Sequence, residues 1–262
     1  MRIATWNVNS LKIRLPRVEE WLGYARPDVL CLQETKLADA AFPAMAFETL
    51  GYQAAHHGRG QWNGVAILSR VGIDDVVDGF CTGVEPDQDT RVVSATCGGV
   101  RVSSVYAPNG RAVGSEHYAY KLSWFERLRR HLELSADPAG PVAVCGDFNV
   151  APEDRDVWDP AAFVGATHVS QPEREALAHV MAWGLVDAFR ARHREDRLYT
   201  YWDYRAGDFH QHRGMRIDLV LATPALAGQV PFALVDRNAR KGKLPSDHAP
   251  LLVDLGAPSL TP

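Results

Sequence analysis

Apolar residues along this chain fall into two rhythms. Short runs rich in β-branched residues recur at Arg2 to Trp6, Asp28 to Leu32, Gly64 to Leu68, Arg91 to Thr96, Val100 to Tyr106, Val142 to Cys145, Ile217 to Leu221 and Leu251 to Leu255. Their length and content predict strands. Gly98-Gly99 between two of the runs predicts a hairpin turn. Elsewhere apolar positions repeat every three or four residues: Leu15, Val18, Leu22 and Ala25; Tyr118, Leu122, Phe125, Leu128 and Leu132, beginning after Gly114-Ser115; and Leu177, Val180 and Met181. These stripes predict helices that bury one face in a core. Hairpins with helices between them predict an α/β protein, with two sheets packed together and helices outside. No internal repeat or long linker interrupts the pattern. Residues 1–256 are therefore expected to form one domain, and 257–262 a flexible tail.

Composition narrows the class of partner. Hydrophobic residues make up 46% and charged residues 23%, which fits a folded globular chain rather than a disordered one. A net charge of −4 argues against a protein that coats nucleic acid by charge alone. It does not argue against a nuclease, whose metal site contributes carboxylates and whose binding patch is local. Cys31, Cys81, Cys97 and Cys145 form no C-x-x-C pair. They read as reduced thiols, so a cytoplasmic location is expected. No signal peptide is visible, and no apolar run approaches the roughly 20 residues needed to cross a bilayer.

Candidate chemistry collects where the predicted strands end. Asn7 and Asn9 follow the first run, Glu34 the second, and Asp147 and Asn149 follow Val142 to Cys145. Asp218 lies in the Ile217 run, and Ser246-Asp247-His248 precedes the last. Each alone reads as a turn residue or a cap. Together they supply carboxylate and amide oxygens suited to a hard cation such as Mg²⁺. Phosphodiester hydrolysis uses such a cation, a group that orients or deprotonates water, and a donor to the phosphate oxygens. Glu34 fits the metal ligand, Asp147 the group beside the nucleophile and His248 the phosphate donor. Asp218 would hold the imidazole in one tautomer, with Asn7 and Asn149 fixing water and ligand geometry. His56-His57 and His210-Gln211-His212 lack the spacing of a zinc site.

The segments IATWNVNSL, LCLQETKL, WNGVAILSR, CGDFNVAP, RGMRIDLVLAT and SDHAPLLVDL resemble the exonuclease III and abasic-site (AP) endonuclease family, in that family's order and from Met1 to about Asp254. The family belongs to the endonuclease/exonuclease/phosphatase superfamily. The resemblance implies a deoxyribonuclease I-like four-layer α/β sandwich with two packed mixed sheets. It implies Mg²⁺, with Mn²⁺ able to substitute, at Glu34, Asn7 and, through water, Asp247. It assigns catalysis to Tyr106, Asp147, Asn149, Asp218 and His248. Tyr201 and Trp202, with Arg213 and Met215, would line a pocket for the sugar of an extruded abasic nucleotide. Arg59, Trp62 and Asn63, and the basic run Arg240, Lys241 and Lys243, would contact double-stranded DNA. The implied protein is a monomeric, DNA-repair phosphodiesterase acting 5′ to abasic sites or at 3′ ends. Alternatives are a superfamily phosphoesterase acting on a lipid or small phosphate ester, and a non-catalytic DNA-binding module.

Overall fold

The computed structural model describes residues 1–81 and 89–256, so the tail expected over 257–262 lies outside the described residues. The strands run in chain order as β1 (Arg2–Asn7), β2 (Val29–Gln33), β3 (Gln53–His57), β4 (Val65–Ser69), β5 (Asp74–Asp78), β6 (Val92–Cys97), β7 (Val100–Tyr106), β8 (Val142–Asp147), β9 (Val186–Asp187), β10 (Asp218–Ala222), β11 (Phe232–Val235) and β12 (Leu251–Asp254). The helices are α1 (Leu11–Ala25), α2 (Ala44–Glu48), α3 (Glu116–Ser135), α4 (Gln171–Met181), α5 (Ala188–Arg192), α6 (Asp208–Gln211) and α7 (Pro224–Ala227). Two six-stranded mixed sheets result, in the orders β11-β12-β1-β2-β4-β3 and β5-β6-β7-β8-β10-β9.

Strand periodicity explains the layering. In β1, β2, β4 and β8, alternate residues point to opposite faces. Ile3, Val29, Cys31, Val65, Ile67, Ala143 and Cys145 meet in one core between the sheets. Ala4, Trp6, Leu30, Leu32, Ala66 and Leu68 point outward under α1 and α2, packing with Val18, Trp21, Leu22 and Phe47. On the other side Val142, Val144, Leu219 and Leu221 meet Trp124, Phe125, Leu128, Leu132, Leu177 and Val180 from α3 and α4. Helix, sheet, sheet, helix is the expected four-layer sandwich.

Local signals set the element ends. The hairpin from β6 to β7 turns at Gly98 (φ 55°) and Gly99 (φ 80°), a left-handed pair that glycine tolerates without a Cβ penalty. Ser115 caps α3 by accepting the Tyr118 N–H. Ser170 and Glu173 form a reciprocal capping box at the start of α4. All four cysteines are free, and no described helix is long and apolar enough to cross a membrane.

One ion network is sunk in this frame. The Arg216 guanidinium is fully buried and donates to both oxygens of Asp156, at 2.7 and 3.0 Å, and to Asp187 at 2.6 Å. Arg190 donates to the same Asp156 oxygen that accepts from Arg216 Nε. Burial alone would raise the Asp156 pKa, but Arg216 and Arg190 outweigh it and hold the carboxyl below its usual range. The network ties the loop after β8 to α5 and the start of β10. Asp156→Asn leaves two arginines short of a counter-charge, and the expected loss is about 3–5 kcal/mol. A depressed folded pKa contributes stability above the unfolded value, roughly pH 4, and that stability is lost as pH falls further. Urea titrations across pH 2–7 are expected to show lower stability at neutral pH and a flatter acid limb in the variant. An unchanged midpoint at pH 7 would remove the network from the fold's stability.

Candidate active site

Sheet register brings the polar strand ends together. Asp147 at the end of β8 lies in register with Tyr106 of β7 on one side and Asp218 of β10 on the other. In the other sheet Asn7 ends β1 beside Gln33, the last residue of β2, with Glu34 next in chain. His248 leads into β12, which pairs with β1. Gly146 marks how close β7 and β8 run here. A Cβ there would sit 1.9 Å from the Val105 carbonyl oxygen. Glu34 (φ 53°) and Asn149 (φ 51°) both adopt left-handed backbone, which costs a non-glycine residue energy and concentrates at functional sites.

Asn7 Nδ2 donates to Glu34 Oε1 at 2.8 Å and to Asp147 Oδ2 at 2.9 Å. Its oxygen accepts the Asn9 N–H at 3.0 Å. The opposite amide orientation would press an oxygen against two carboxylates. Asn7 thus bridges the two acids through its amide nitrogen, while its oxygen is taken by the Asn9 N–H. Glu34 Oε2 lies 2.9 Å from Lys36 Nζ, which donates to Asn9 Oδ1 at 2.6 Å. Asn9 Nδ2 in turn donates to Asp247 Oδ1 at 3.2 Å. Burial opposes the charge on Glu34, but Lys36 and Asn7 prevail and hold its pKa below the usual value.

His248 is buried between two aspartates. Its Nδ1 lies 2.8 Å from Asp218 Oδ2 and its Nε2 3.8 Å from Asp147 Oδ2. Burial alone would discharge the ring, yet Asp218, Asp147 and Asp247 lift its pKa to about 10. Asp147 moves the other way from an ordinary carboxylate. Burial, with the charge on Asp218, raises it to about 7, against the pull of His248. The Asn149 N–H donates to Asp147 Oδ1 at 2.9 Å. Tyr106 is raised well above its usual pKa by burial and by Glu34 and Asp147, so it is a neutral phenol.

Hard oxygen donors fit a cation at Glu34, whose carboxylate stays charged though buried. Asp147, Asp218 and His248 also lie within 4.8 Å of one another, a spacing that could hold an ion. An imidazolium protonated on both nitrogens has no lone pair for a metal, so a charged His248 cannot itself ligate an ion there.

Beside His248 opens a cavity of about 220 Å³ lined by Trp158, Phe163, Tyr201, Asp203, Asp208, Arg213, Gly214 and Met215. The Tyr201 ring centroid is 4.9 Å from that of His248, and Arg213 lies over Trp158. Trp202 does not line it. That side chain is fully buried against Tyr199, Ala249 and Phe209, so its expected DNA contact is corrected to core packing. Tyr201 and Trp202 alternate across extended backbone, and only the first faces the cavity. Arg240 is corrected likewise: it is 6% exposed, bonded to the Ser246 and Trp202 carbonyls and packed on Tyr204 and Phe209. Arg59, Trp62, Arg213, Lys241 and Lys243 are exposed, and Asn63 is half-buried with its amide on the Asp89 carbonyl. Trp158 and Phe163 were not singled out from sequence, nor were Asn109 and His168, which approach Asn149 Oδ1 at 3.4 and 3.1 Å. Asn109 follows Tyr106 at a strand end, the signal that marked the others.

Two packed sheets presenting clustered acids, amides and an imidazolium at one edge define a hydrolase of phosphoric esters on a deoxyribonuclease I-like fold. The chain belongs to the Endonuclease/Exonuclease/phosphatase family, whose model matches residues 4–248, and within it to the exonuclease III and AP endonuclease group. It is 31% identical to exodeoxyribonuclease III of Haemophilus influenzae, over 96% of this chain and 98% of that protein. An AP endonuclease from Archaeoglobus fulgidus superposes with a TM-score of 0.94 at 38% identity, covering 98% of this chain and all of the other. The 3′ phosphatase NExo from Neisseria, solved with a product DNA hairpin, gives 0.93 at 39% identity, covering 98% and 99%.

The electrostatics predict how His248 titrates. In metal-free buffer its ring should stay charged through pH 8, because a raised pKa keeps the proton until pH climbs past the folded value. In Asp218→Asn, with the nearest anion gone, it should release its proton at least a unit lower. A His248 resonance that titrates near pH 6.5 in the native protein would refute the charged triad.

Proposed function

We propose that this protein is a Mg²⁺-dependent DNA-repair phosphodiesterase. It hydrolyses the backbone 5′ to abasic sites and removes nucleotides and blocking groups from 3′ ends. The observation that carries this reading is the Asp147 carboxylate. It is held by the Asn7 amide and the Asn149 N–H beside the Nε2 of a charged His248. One such centre serves all of these substrates, because each is water attack on a phosphorus ester.

Glu34, with Asp247 through water, would hold the cation, and Mn²⁺ would substitute for it. A bound divalent ion would neutralise charge building on the phosphate oxygens. Asp147 orients the attacking water, and its raised pKa suits it to exchange a proton near neutral pH. Asn149 fixes the carboxylate's angle. His248 turns Nε2–H toward a phosphate oxygen while Asp218 occupies Nδ1, so the donor is preorganised and charged. Tyr106, kept neutral, offers a phenolic O–H to the same phosphate.

The cavity walled by Trp158, Phe163, Tyr201 and Met215 supports an abasic substrate. Rings and a thioether can enclose a bare deoxyribose, and their bulk disfavours one that carries a base. Exposed Arg59, Trp62, Arg213, Lys241 and Lys243, with half-buried Asn63, would contact the duplex. Names of relatives agree: an exodeoxyribonuclease, an AP endonuclease and a 3′ phosphatase bound to DNA.

Labelled duplexes with and without one tetrahydrofuran abasic analogue test the reading. Nicking 5′ to the analogue, or shortening from the 3′ end, is expected in Mg²⁺ and should stop in EDTA. Glu34→Ala should lose metal-dependent turnover, and Asp147→Asn should slow it by roughly 10²–10³-fold with DNA affinity little changed. Equal rates in Mg²⁺ and EDTA, or native turnover in either variant, would overturn the assignment. Turnover of inositol phosphates with intact DNA left alone would favour a small-ester phosphatase.

A further inference from the structure

Behind the active-site loops lies a buried ion pair that the chemistry above does not use. Lys121 of α3 and Glu173 of α4 both have fully buried side chains. The Lys121 ammonium has three donors, and each has an acceptor. These are the Asn149 carbonyl at 2.7 Å, the Asn109 carbonyl at 3.3 Å and Glu173 Oε1 at 2.5 Å. Glu173 is equally occupied. It accepts the His168 N–H at 3.0 Å, the Ser170 N–H at 3.2 Å and the Ser170 hydroxyl at 2.6 Å.

A buried ion pair is a poor way to stabilise a fold, since desolvation of both charges offsets their attraction. Two apolar side chains could fill this space between α3 and α4. What they could not do is grip main-chain carbonyls. The two carbonyls gripped belong to Asn109, three residues past Tyr106, and Asn149, two past Asp147. Asn149 needs restraint, because its backbone is left-handed at φ 51°. Its amide group also meets Asn109 Nδ2 and His168 Nε2. Gly110, at φ 89°, lets the first loop close onto the lysine stem. A Cβ there would lie 3.0 Å from Lys121 Cδ.

We propose that the Lys121–Glu173 pair is a positioning device for the reaction, locking the Asn109 and Asn149 loops so that Asp147 and Asn149 meet the scissile phosphate in one arrangement. The proposal rests on the roles assigned above to Asp147 and Asn149. Neither Lys121 nor Glu173 touches the reacting atoms.

The test separates folding from positioning. Lys121→Met alone strands the Glu173 charge and should both destabilise and slow the enzyme. The double variant Lys121→Met with Glu173→Gln strands no charge, and glutamine still serves the capping box with Ser170. Melting curves are to be read beside kcat and KM for nicking a duplex with one tetrahydrofuran site in Mg²⁺. The double variant should melt cooperatively, below the native protein because the Asn109 and Asn149 carbonyls lose their donor but above Lys121→Met alone, while kcat falls roughly 10–100-fold and KM stays within about twofold, as expected when catalytic groups lose alignment. Native kcat in the double variant would overturn the proposal and leave the pair a packing feature. If the double variant does not melt cooperatively, Lys121→Arg decides the matter. It keeps the charge but not the three-way fit of an ammonium. A cooperative fold with reduced kcat supports the clamp, and native kcat overturns it. Asp147→Asn runs alongside. Normal turnover there sinks the active-site reading itself, whereas an inactive Asp147→Asn beside a fully active double variant sinks only the clamp.

Discussion

Like charge held in a small, dry space is the constraint on which the rest of this molecule depends. Glu34, Asp147 and Asp218 converge from three strands of two sheets, and all three are largely withdrawn from water. Carboxylates so placed repel one another and resist ionising unless something answers each. The answers differ. Lys36 and the Asn7 amide serve Glu34. His248 serves Asp218 by direct contact. Asp147 is left with amide donors and a more distant imidazolium, and its pKa is driven up to about 7. The site thus separates three identical functional groups by environment. Glu34 stays charged, Asp218 bonds the imidazole, and Asp147 is pushed toward neutral pH.

That arrangement survives because the scaffold is rigid where the polar residues attach. Parallel pairing of β1 with β2 and of β7 with β8 fixes Asn7 beside Gln33 and Tyr106 beside Asp147 without help from side chains. Antiparallel pairing of β8 with β10 then sets Asp218 next to Asp147 from a strand running the other way. The loops beyond the strand ends are anchored separately, by Arg216 on Asp156 and by Lys121 on two carbonyls. Buried arginine and lysine here hold irregular backbone in place, where no ladder of hydrogen bonds could reach.

Much of this was legible in the sequence, and the misses have physical causes. The strands expected from apolar runs all exist, within a residue or two at their ends. The four strands with no such run, β3, β5, β9 and β11, are the four sheet edges. An edge strand has a neighbour on one side only and can leave much of its length to solvent; β5 reads Asp-Asp-Val-Val-Asp and is largely exposed, whereas β11, Phe232–Val235, is apolar but short, with Phe232 and Leu234 exposed. Strand-end acids and amides were visible because each breaks an apolar run abruptly. Trp202 and Arg240 misled for the opposite reason. A large aromatic or basic residue near a motif looks like a ligand contact until burial is known, and both are inside. Lys121 was hidden in plain view. It lies on the buried face of α3 with Tyr118, Phe125 and Leu128, where a lone charge signals a partner elsewhere in the chain. Ser170-x-x-Glu173 was that partner, disguised as a helix cap.

An acidic chain that acts on a polyanion is a tension the structure relieves by geometry. A net charge of −4 would oppose DNA if it were spread evenly over the surface. It is not spread evenly. Glu34, Asp147, Asp156, Glu173 and Asp218 are sunk beneath the surface and each is matched by a donor or a cation of the protein itself. Their charge is spent inside. Arg59, Arg213, Lys241 and Lys243, by contrast, are exposed. Binding and hydrolysis make opposite demands on charge, and burying these matched acids answers the second without adding negative surface that would oppose the first.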